Sequence, residues 1–253
     1  GGGSCWSSGR VILRAAIFGV YGTLLHLGPP PPDAEARWRW LWENSLGRAA
    51  DRGLAEFHRE ALAVMARERG RSRERGIVHP EVYWPQVVEE IAPEVRALPR
   101  DARQGWDVAE ARLARTTALM PGAAPVLRLL IACGVAPGLL ANGQPYTVWE
   151  LNEALSAVGL GNDVFRSDLV FWSYRHGFGK PDVHAYQVIA ARLRALGVAP
   201  SETLMVDGEA EDLVPAAGCG WSTFHLCADG EDLKARRGDW HALLRWLDGR
   251  LPG

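Results

Sequence analysis

Ala15-Ala16-Ile17-Phe18-Gly19-Val20-Tyr21-Gly22-Thr23-Leu24-Leu25 is an apolar run that breaks at a Gly-Thr turn and then becomes apolar again. Short apolar runs bounded by turn residues are the pattern of a strand covered on both faces, as in a parallel sheet. Val11 to Phe18 is β-rich, interrupted by Arg14, and reads as that strand. In an open α/β sheet ligands gather outside the carboxyl ends of the strands. The turn Gly19 to Thr23 is therefore the first place to look for function.

Downstream the pattern changes at the proline run Pro29 to Pro32, a short stiff connector. Asp33 reads as the cap of a helix from about Ala34 to Leu46. Further helical pattern covers Arg52 to about Arg69, His79 to Ile91 and Arg100 to about Leu119, punctuated by Pro80, Pro85, Pro93 and Pro99. No strand is expected from Asp33 to Leu119. The block reads as an all-helical insert rich in Arg and Trp. Trp38, Trp40, Trp42, Trp84 and Trp106 are expected mainly as packing residues.

An α/β rhythm resumes at Pro121-Gly122. A helix from about Ala123 to Ala132 leads to the apolar run Ala136 to Ala141, and a second helix spans about Pro145 to Val158. Asp168 to Ser173 reads as a strand, Asp182 opens a helix to about Leu196, and Thr203 to Val206 is a strand ending in Asp207. A short helix from Glu209 to Ala217, a strand from Gly220 to Leu226 and a helix from Glu231 to about Leu247 complete the chain. Alternation of this kind argues for a parallel sheet with right-handed crossovers. The domain reading is a tail over 1–10, an α/β core over 11–28 and 120–253, and a helical cap over 29–119.

Four loops, each after an expected strand, carry the chemistry-bearing residues. Taken together they resemble the haloacid dehalogenase-like (HAD) hydrolases. The first motif of that family is usually an apolar run followed by D-x-D/Y-G-T-L, and Phe18-Gly19-Val20-Tyr21-Gly22-Thr23-Leu24 matches it with Gly19 at the nucleophile position. Leu139-Leu140-Ala141-Asn142-Gly143 resembles the second motif, with Ala141 where a hydroxyl is usual. Gly177-Phe178-Gly179-Lys180-Pro181-Asp182 resembles the third, with its lysine present. Glu202 to Asp207, followed by Asp212, resembles the fourth, with Val206 where glycine is usual; an alternative alignment pairs Gly208 with the acid. Tyr21 is the residue typical of the dehalogenase branch, where phosphatase branches carry a second aspartate as general acid. A tyrosine, with a pKa near 10, is a poor donor to a leaving alkoxide.

The resemblance implies a HAD-like Rossmannoid three-layer core with a parallel sheet and a small all-helical cap inserted after the first strand. It implies catalytic positions at Gly19, Tyr21, Ala141, Asn142, Lys180 and Asp207, with ligand contacts from Gly22, Thr23, Asn142 and Lys180. Family chemistry needs the first-motif carboxylate to attack carbon or phosphorus before water resolves the ester. Glycine cannot form that ester. The expectation is a degenerate family member that keeps a pocket for a small phosphate- or carboxylate-bearing anion. An active hydrolase with altered chemistry is the alternative, using Asp207, His176 or His184 as base; so is a variant whose nucleophile position has been changed. Mg²⁺ would be held weakly by Asp207 and Asp212 if at all, and no other cofactor is expected. A protein partner or a second copy of the chain is a further expectation.

Composition is that of an ordinary globular chain: 253 residues, 47% hydrophobic and 23% charged, with a net charge of −2. That balance gives no reason to expect nucleic acid or an anionic membrane surface as partner. Only Lys180 and Lys234 are lysines, so a lysine at a motif position stands out from the background. Cys5, Cys133, Cys219 and Cys227 have neither C-x-x-C spacing nor paired histidines, which suits a reduced, cytoplasmic protein. No apolar run approaches the roughly 20 residues needed to cross a bilayer. The Gly/Ser-rich start lacks the pattern of a signal peptide.

Overall fold

The computed structural model describes residues 11–253; the tail expected over 1–10 and Cys5 lie outside the described residues. The chain builds strands β1 (Ala15–Phe18), β2 (Leu25–Gly28), β3 (Thr116–Leu119), β4 (Ala136–Ala141), β5 (Val170–Trp172), β6 (Thr203–Asp207), β7 (Ser222–Leu226) and β8 (Arg237–Gly238). Helices α1 (Ala34–Leu46), α2 (Leu54–Glu74), α3 (Trp84–Ile91) and α4 (Arg100–Ala114) fall between β2 and β3. The others are α5 (Ala123–Ala132), α6 (Pro145–Ser156), α7 (Val183–Ala195), α8 (Ala210–Gly218) and α9 (Trp240–Leu247).

Six strands form one sheet in the order β5-β4-β1-β6-β7-β8, and every pairing in it is parallel. The alternation of side chains along β1 explains its unbroken hydrophobicity. Ala16 and Phe18 pack into a cluster with Val126, Leu151 and Trp240, from α5, α6 and α9. Ala15 and Ile17 face the opposite cluster, with Tyr186 and Leu213 from α7 and α8. Both faces are covered, which is why β1 shows no polar alternation.

A second, two-stranded antiparallel sheet pairs β2 with β3, Leu25 opposite Leu119 and Gly28 opposite Thr116. The chain leaves the α/β core along one strand of this ribbon and returns along the other. Between them α1 to α4 close around their own cluster, in which Trp38, Trp42, Phe57 and Trp106 are buried. Trp40 faces solvent on the other side of α1.

Several boundaries differ from the sequence reading. Thr116–Leu119 is a strand where none was expected; pairing with Leu25–Gly28 overrides the helical pattern of α4, which stops at Ala114. Asp33 does not cap α1 with its side chain but pairs with Arg37, Oδ1 to Nε at 2.9 Å. The helix expected from His79 begins at Trp84, because the segment before it bonds across to the third-motif loop: the Glu81 amide donates to Gly177 O at 2.9 Å and the Gly179 amide to His79 O at 3.1 Å. Ser167–Leu169 is a 3₁₀ turn, leaving only Val170–Trp172 as strand. The last helix starts at Trp240, where Asp239 accepts from the Ala242 amide at 2.8 Å, and not at Glu231. Residues before it turn back through β8 beside β7.

Candidate functional site

Four loops converge at the carboxyl edge of the large sheet, centred on Gly19 after β1 and Asp207 at the end of β6. These strands are direct neighbours, with Phe18 opposite Val206, and the Gly19 amide donates to Val206 O at 3.1 Å. The Asp207 carboxylate is fixed from three directions. Its Oδ1 accepts from the Glu209 amide at 3.0 Å and from Thr23 Oγ1 at 3.3 Å. Its Oδ2 accepts from Lys180 Nζ. Thr23, fully buried, also accepts the Gly208 amide on Oγ1 at 3.0 Å. Gly208 is held to glycine by close approach, since a Cβ there would stand 2.2 Å from Gly22 O.

Gly19 is not a turn glycine in the conformational sense. Its backbone is outside the left-handed region that favours glycine, unlike that of Gly22 at φ 71°. What excludes a side chain is Asp207: a Cβ on residue 19 would lie 2.4 Å from Asp207 Oδ2 and 2.8 Å from Thr23 Oγ1. The carboxylate of β6 occupies the space that a side chain on β1 would need. Gly19→Ala is accordingly expected to destabilise the protein by about 1–3 kcal/mol in urea unfolding, the usual cost of overpacking a buried site. An unchanged midpoint would mean that Asp207 moves aside freely.

Lys180 is buried between two carboxylates, bonded through Nζ to Asp207 and, at 2.8 Å, to Asp212 Oδ2. Burial works against its ammonium, but Asp207 and Asp212 outweigh it and hold the lysine above its ordinary pKa. Burial raises the Asp212 carboxyl, with Lys180 opposing that rise. The lysine charge expected to face a ligand is thus matched twice within the protein. The same geometry does not fit a resident Mg²⁺. The ammonium stands between the only two carboxylates of the set, and no group of three or more His, Cys, Asp or Glu is arranged for a metal among the described residues.

Ala141 ends β4, and its side chain contributes no polar atom. Asn142 braces Lys180 through the backbone: its Nδ2 donates to Lys180 O at 2.9 Å and its Oδ1 accepts the Lys180 amide at 2.7 Å. A Cβ at Gly179 would meet Asn142 Oδ1 at 2.2 Å, so the glycine in Gly-Lys-Pro permits this clasp. In the first loop, the Gly22 amide donates to Leu25 O at 2.9 Å and the Thr23 amide to Val20 O at 3.1 Å. Those two amides, expected to meet a ligand, are committed to the turn. The amides of Val20 and Tyr21 take no partner among the described residues.

Tyr21 is tied down as well. Its hydroxyl accepts from Arg115 Nη2 at 2.6 Å and lies against the buried Glu150 carboxylate and, at 2.9 Å, Thr147 Oγ1. Burial drives its pKa far above the ordinary tyrosine value, Arg115 opposing and Glu150 adding to the rise. A proton so held is no use to a leaving group. His176 stacks on Phe171 with ring centres 4.2 Å apart, and His184 bonds Asp182 at 2.8 Å beside the start of α7. Neither histidine contacts Gly19, Lys180 or Asp207.

Between the helical block and this edge lies a cavity of about 440 Å³, bounded by Tyr21, Trp84, Arg115, Asn142 and Tyr146 among others. The sequence reading missed the polar frame around it. Arg115 lies over the Tyr21 ring at 4.8 Å and pairs with Glu150 at 3.2 Å, while its buried Nε has no partner. Glu110, also buried, bonds His58 Nε2 at 3.0 Å and accepts from Trp84 Nε1 at 3.0 Å. Gln144 Nε2 donates to Val82 O at 2.7 Å and joins the two halves. Buried charges spaced along amphipathic helices look like ordinary surface residues in sequence, so no signal there marks them.

A family model described as haloacid dehalogenase-like hydrolase matches residues 13–220. Among solved structures, an L-2-haloacid dehalogenase is 23% identical with a TM-score of 0.53, covering 94% of this chain and 100% of its own. A dehalogenase solved with an intermediate complex is 20% identical with a TM-score of 0.52, covering 93% and 96%. A HAD family enzyme from Bacteroides thetaiotaomicron is 12% identical with a TM-score of 0.54, covering 88% and 98%. At such identities the likeness is one of fold. No curated protein matches the chain.

Proposed function

The chain belongs to the haloacid dehalogenase-like hydrolase family, and from that premise we propose that it is a catalytically degenerate member whose cleft binds a small anionic molecule without turning it over. The observation that carries this reading is the pair Gly19 and Asp207. Position 19 is where the family places its nucleophile, here there is no side chain, and Asp207 fills the room a Cβ would need. No covalent ester can form at residue 19. Removing a nucleophile from an enzyme that works through one typically costs about 10⁴ to 10⁶ in turnover. Ala141 removes the hydroxyl of the second motif, and Tyr21 is locked by Arg115 and Glu150 instead of poised as an acid. The helical block 29–119 serves as a cap that closes the cleft.

Asp207 itself favours a second reading. Its carboxylate lies against residue 19 and would be the nucleophile or base of an altered hydrolase. Against this, both of its oxygens are already engaged by Lys180, Thr23 and the Glu209 amide. Intact-mass spectra of acid-quenched protein, after incubation with phosphomonoesters and short 2-haloacids, separate the two. The degenerate reading expects no added mass. An adduct mapping to Asp207 would replace it with the second reading.

A further inference from the structure

The arginines of α2 divide into two kinds. Arg67 pairs with Glu90 at 2.6 Å, and Arg71 with Glu68 at 2.8 Å. Arg59, Arg69 and Arg73 pair with no carboxylate among the described residues, and of these Arg69 and Arg73, four residues apart, share one face of the helix. Two like charges at that spacing weaken a helix slightly, so helix stability does not account for them. Both point to the same place. With His79 they line a cavity of about 280 Å³ whose far wall is Asn142, Gly179 and Lys180.

The cavity is anchored on both sides. His79 and Glu81 are bonded through the backbone to Gly177 and Gly179, which sets the arginine face over the third-motif loop. Glu81 also lines it, but its carboxylate is turned to other donors: Oε2 accepts from Ser173 Oγ at 2.6 Å, Oε1 from Gln144 Nε2 and the Val82 amide, each at 3.0 Å. Lys180 is neutralised by Asp207 and Asp212. The uncommitted hydrogen-bond donors are therefore the two guanidinium groups and the imidazole. Arg69, Glu81 and Asn142 also line the larger, mainly apolar cavity beside Trp84 and Met65. One polar and one apolar chamber thus share a wall.

We propose that Arg69 and Arg73, with His79, form an anion subsite on the helical block, and that its ligand is an organic phosphate monoester whose apolar body lies in the adjoining Trp84 chamber. Paired guanidinium groups match the oxygens of a dianion in bidentate geometry better than a single lysine does. The proposal rests on the reading of the cleft as a binding site and moves its anion contact from the first-motif turn to α2. Phenyl phosphate, inorganic phosphate and phenol serve as probes in calorimetric titration up to about 10 mM, where even a ~1 mM site is filled. Phenyl phosphate is expected to bind about tenfold more tightly than inorganic phosphate, from burial of the ring, and phenol not detectably.

The double variant Arg69→Gln, Arg73→Gln is expected to lose about tenfold or more in affinity for phenyl phosphate while its thermal midpoint stays near the native one. Arg75→Gln, at the end of the same helix and outside the cavity, should bind as the native chain does. Absence of phenyl phosphate binding, unchanged affinity in the double variant, or equal weakening by Arg75→Gln would each overturn the proposal. Released phosphate is measured in the same samples. Its appearance would count against the degenerate reading alone, because the arginine variants judge the subsite separately.

Discussion

Replacing Lys180 with Met is expected to cost about 3–5 kcal/mol, the range for removing one partner of a buried ion pair. Among the described residues Lys180 is the only cation paired with Asp207 and Asp212, and without it two buried carboxylates face each other. Urea unfolding at neutral pH measures the loss. The deficit should shrink on acidification. Asp212 already titrates above the ordinary carboxylate range because of burial, and loss of the lysine raises it further. A raised carboxyl means that the folded state holds more protons than the unfolded chain, so stability falls as pH rises from the ordinary carboxylate range through the raised pKa. The same variant carrying Asp207→Asn should recover part of the loss at neutral pH. A deficit below about 1 kcal/mol would show that the trio is solvated and contributes little.

Trp38→Ala is expected to cost a comparable amount, about 3–5 kcal/mol, for a reason unconnected with charge. Trp38 is fully buried at the centre of the helical block. Its ring centre lies 4.8 Å from that of Phe57, 5.6 Å from Trp42 and 5.9 Å from Trp106. Its Nε1 donates to Arg52 O at 2.9 Å and ties α1 to the start of α2. Truncation removes the hub on which α1, α2 and α4 meet, and α2 carries Arg69 and Arg73. Near-UV circular dichroism should lose aromatic signal, and phenyl phosphate affinity should fall although no contact residue is altered. Native-like stability in this variant would mean that the tryptophans repack around the gap.

The α/β core was legible because each of its rules is local. Ala15 to Phe18 is apolar on both faces, and turn residues follow each strand, so the strand-end loops could be found from pattern alone. Gly19, Lys180 and Asp207 could be named through the resemblance of the loops at those strand ends to the family motifs. The β2–β3 ribbon was not legible, since Thr116–Leu119 takes its strand conformation from a partner some ninety residues earlier. Nor was the segment before α3, whose helical pattern yields to backbone bonds with Gly177 and Gly179. The largest gap concerned charge. Sequence suggests Lys180 as a ligand contact and says nothing of Arg69 and Arg73, because pairing is a property of three-dimensional neighbours. Which arginines of a crowded helix find a carboxylate cannot be read from their spacing.

The close approach of Asp207 to residue 19 bears on any attempt to restore activity. A carboxylate introduced at Gly19 must displace one already held by Lys180, Thr23 and the Glu209 amide. Gly19→Asp alone is therefore expected to place two carboxylates in room for one.

Steady-state turnover of the native protein decides whether the family site is silent in this chain. The substrates are a panel of phosphomonoesters and short 2-haloacids, with and without Mg²⁺. Turnover is expected to be at least about 10⁴-fold below that of a family member with an intact nucleophile, with no response to Mg²⁺. Turnover near the active range, abolished by Asp207→Asn, would contradict it and make Asp207 the working carboxylate.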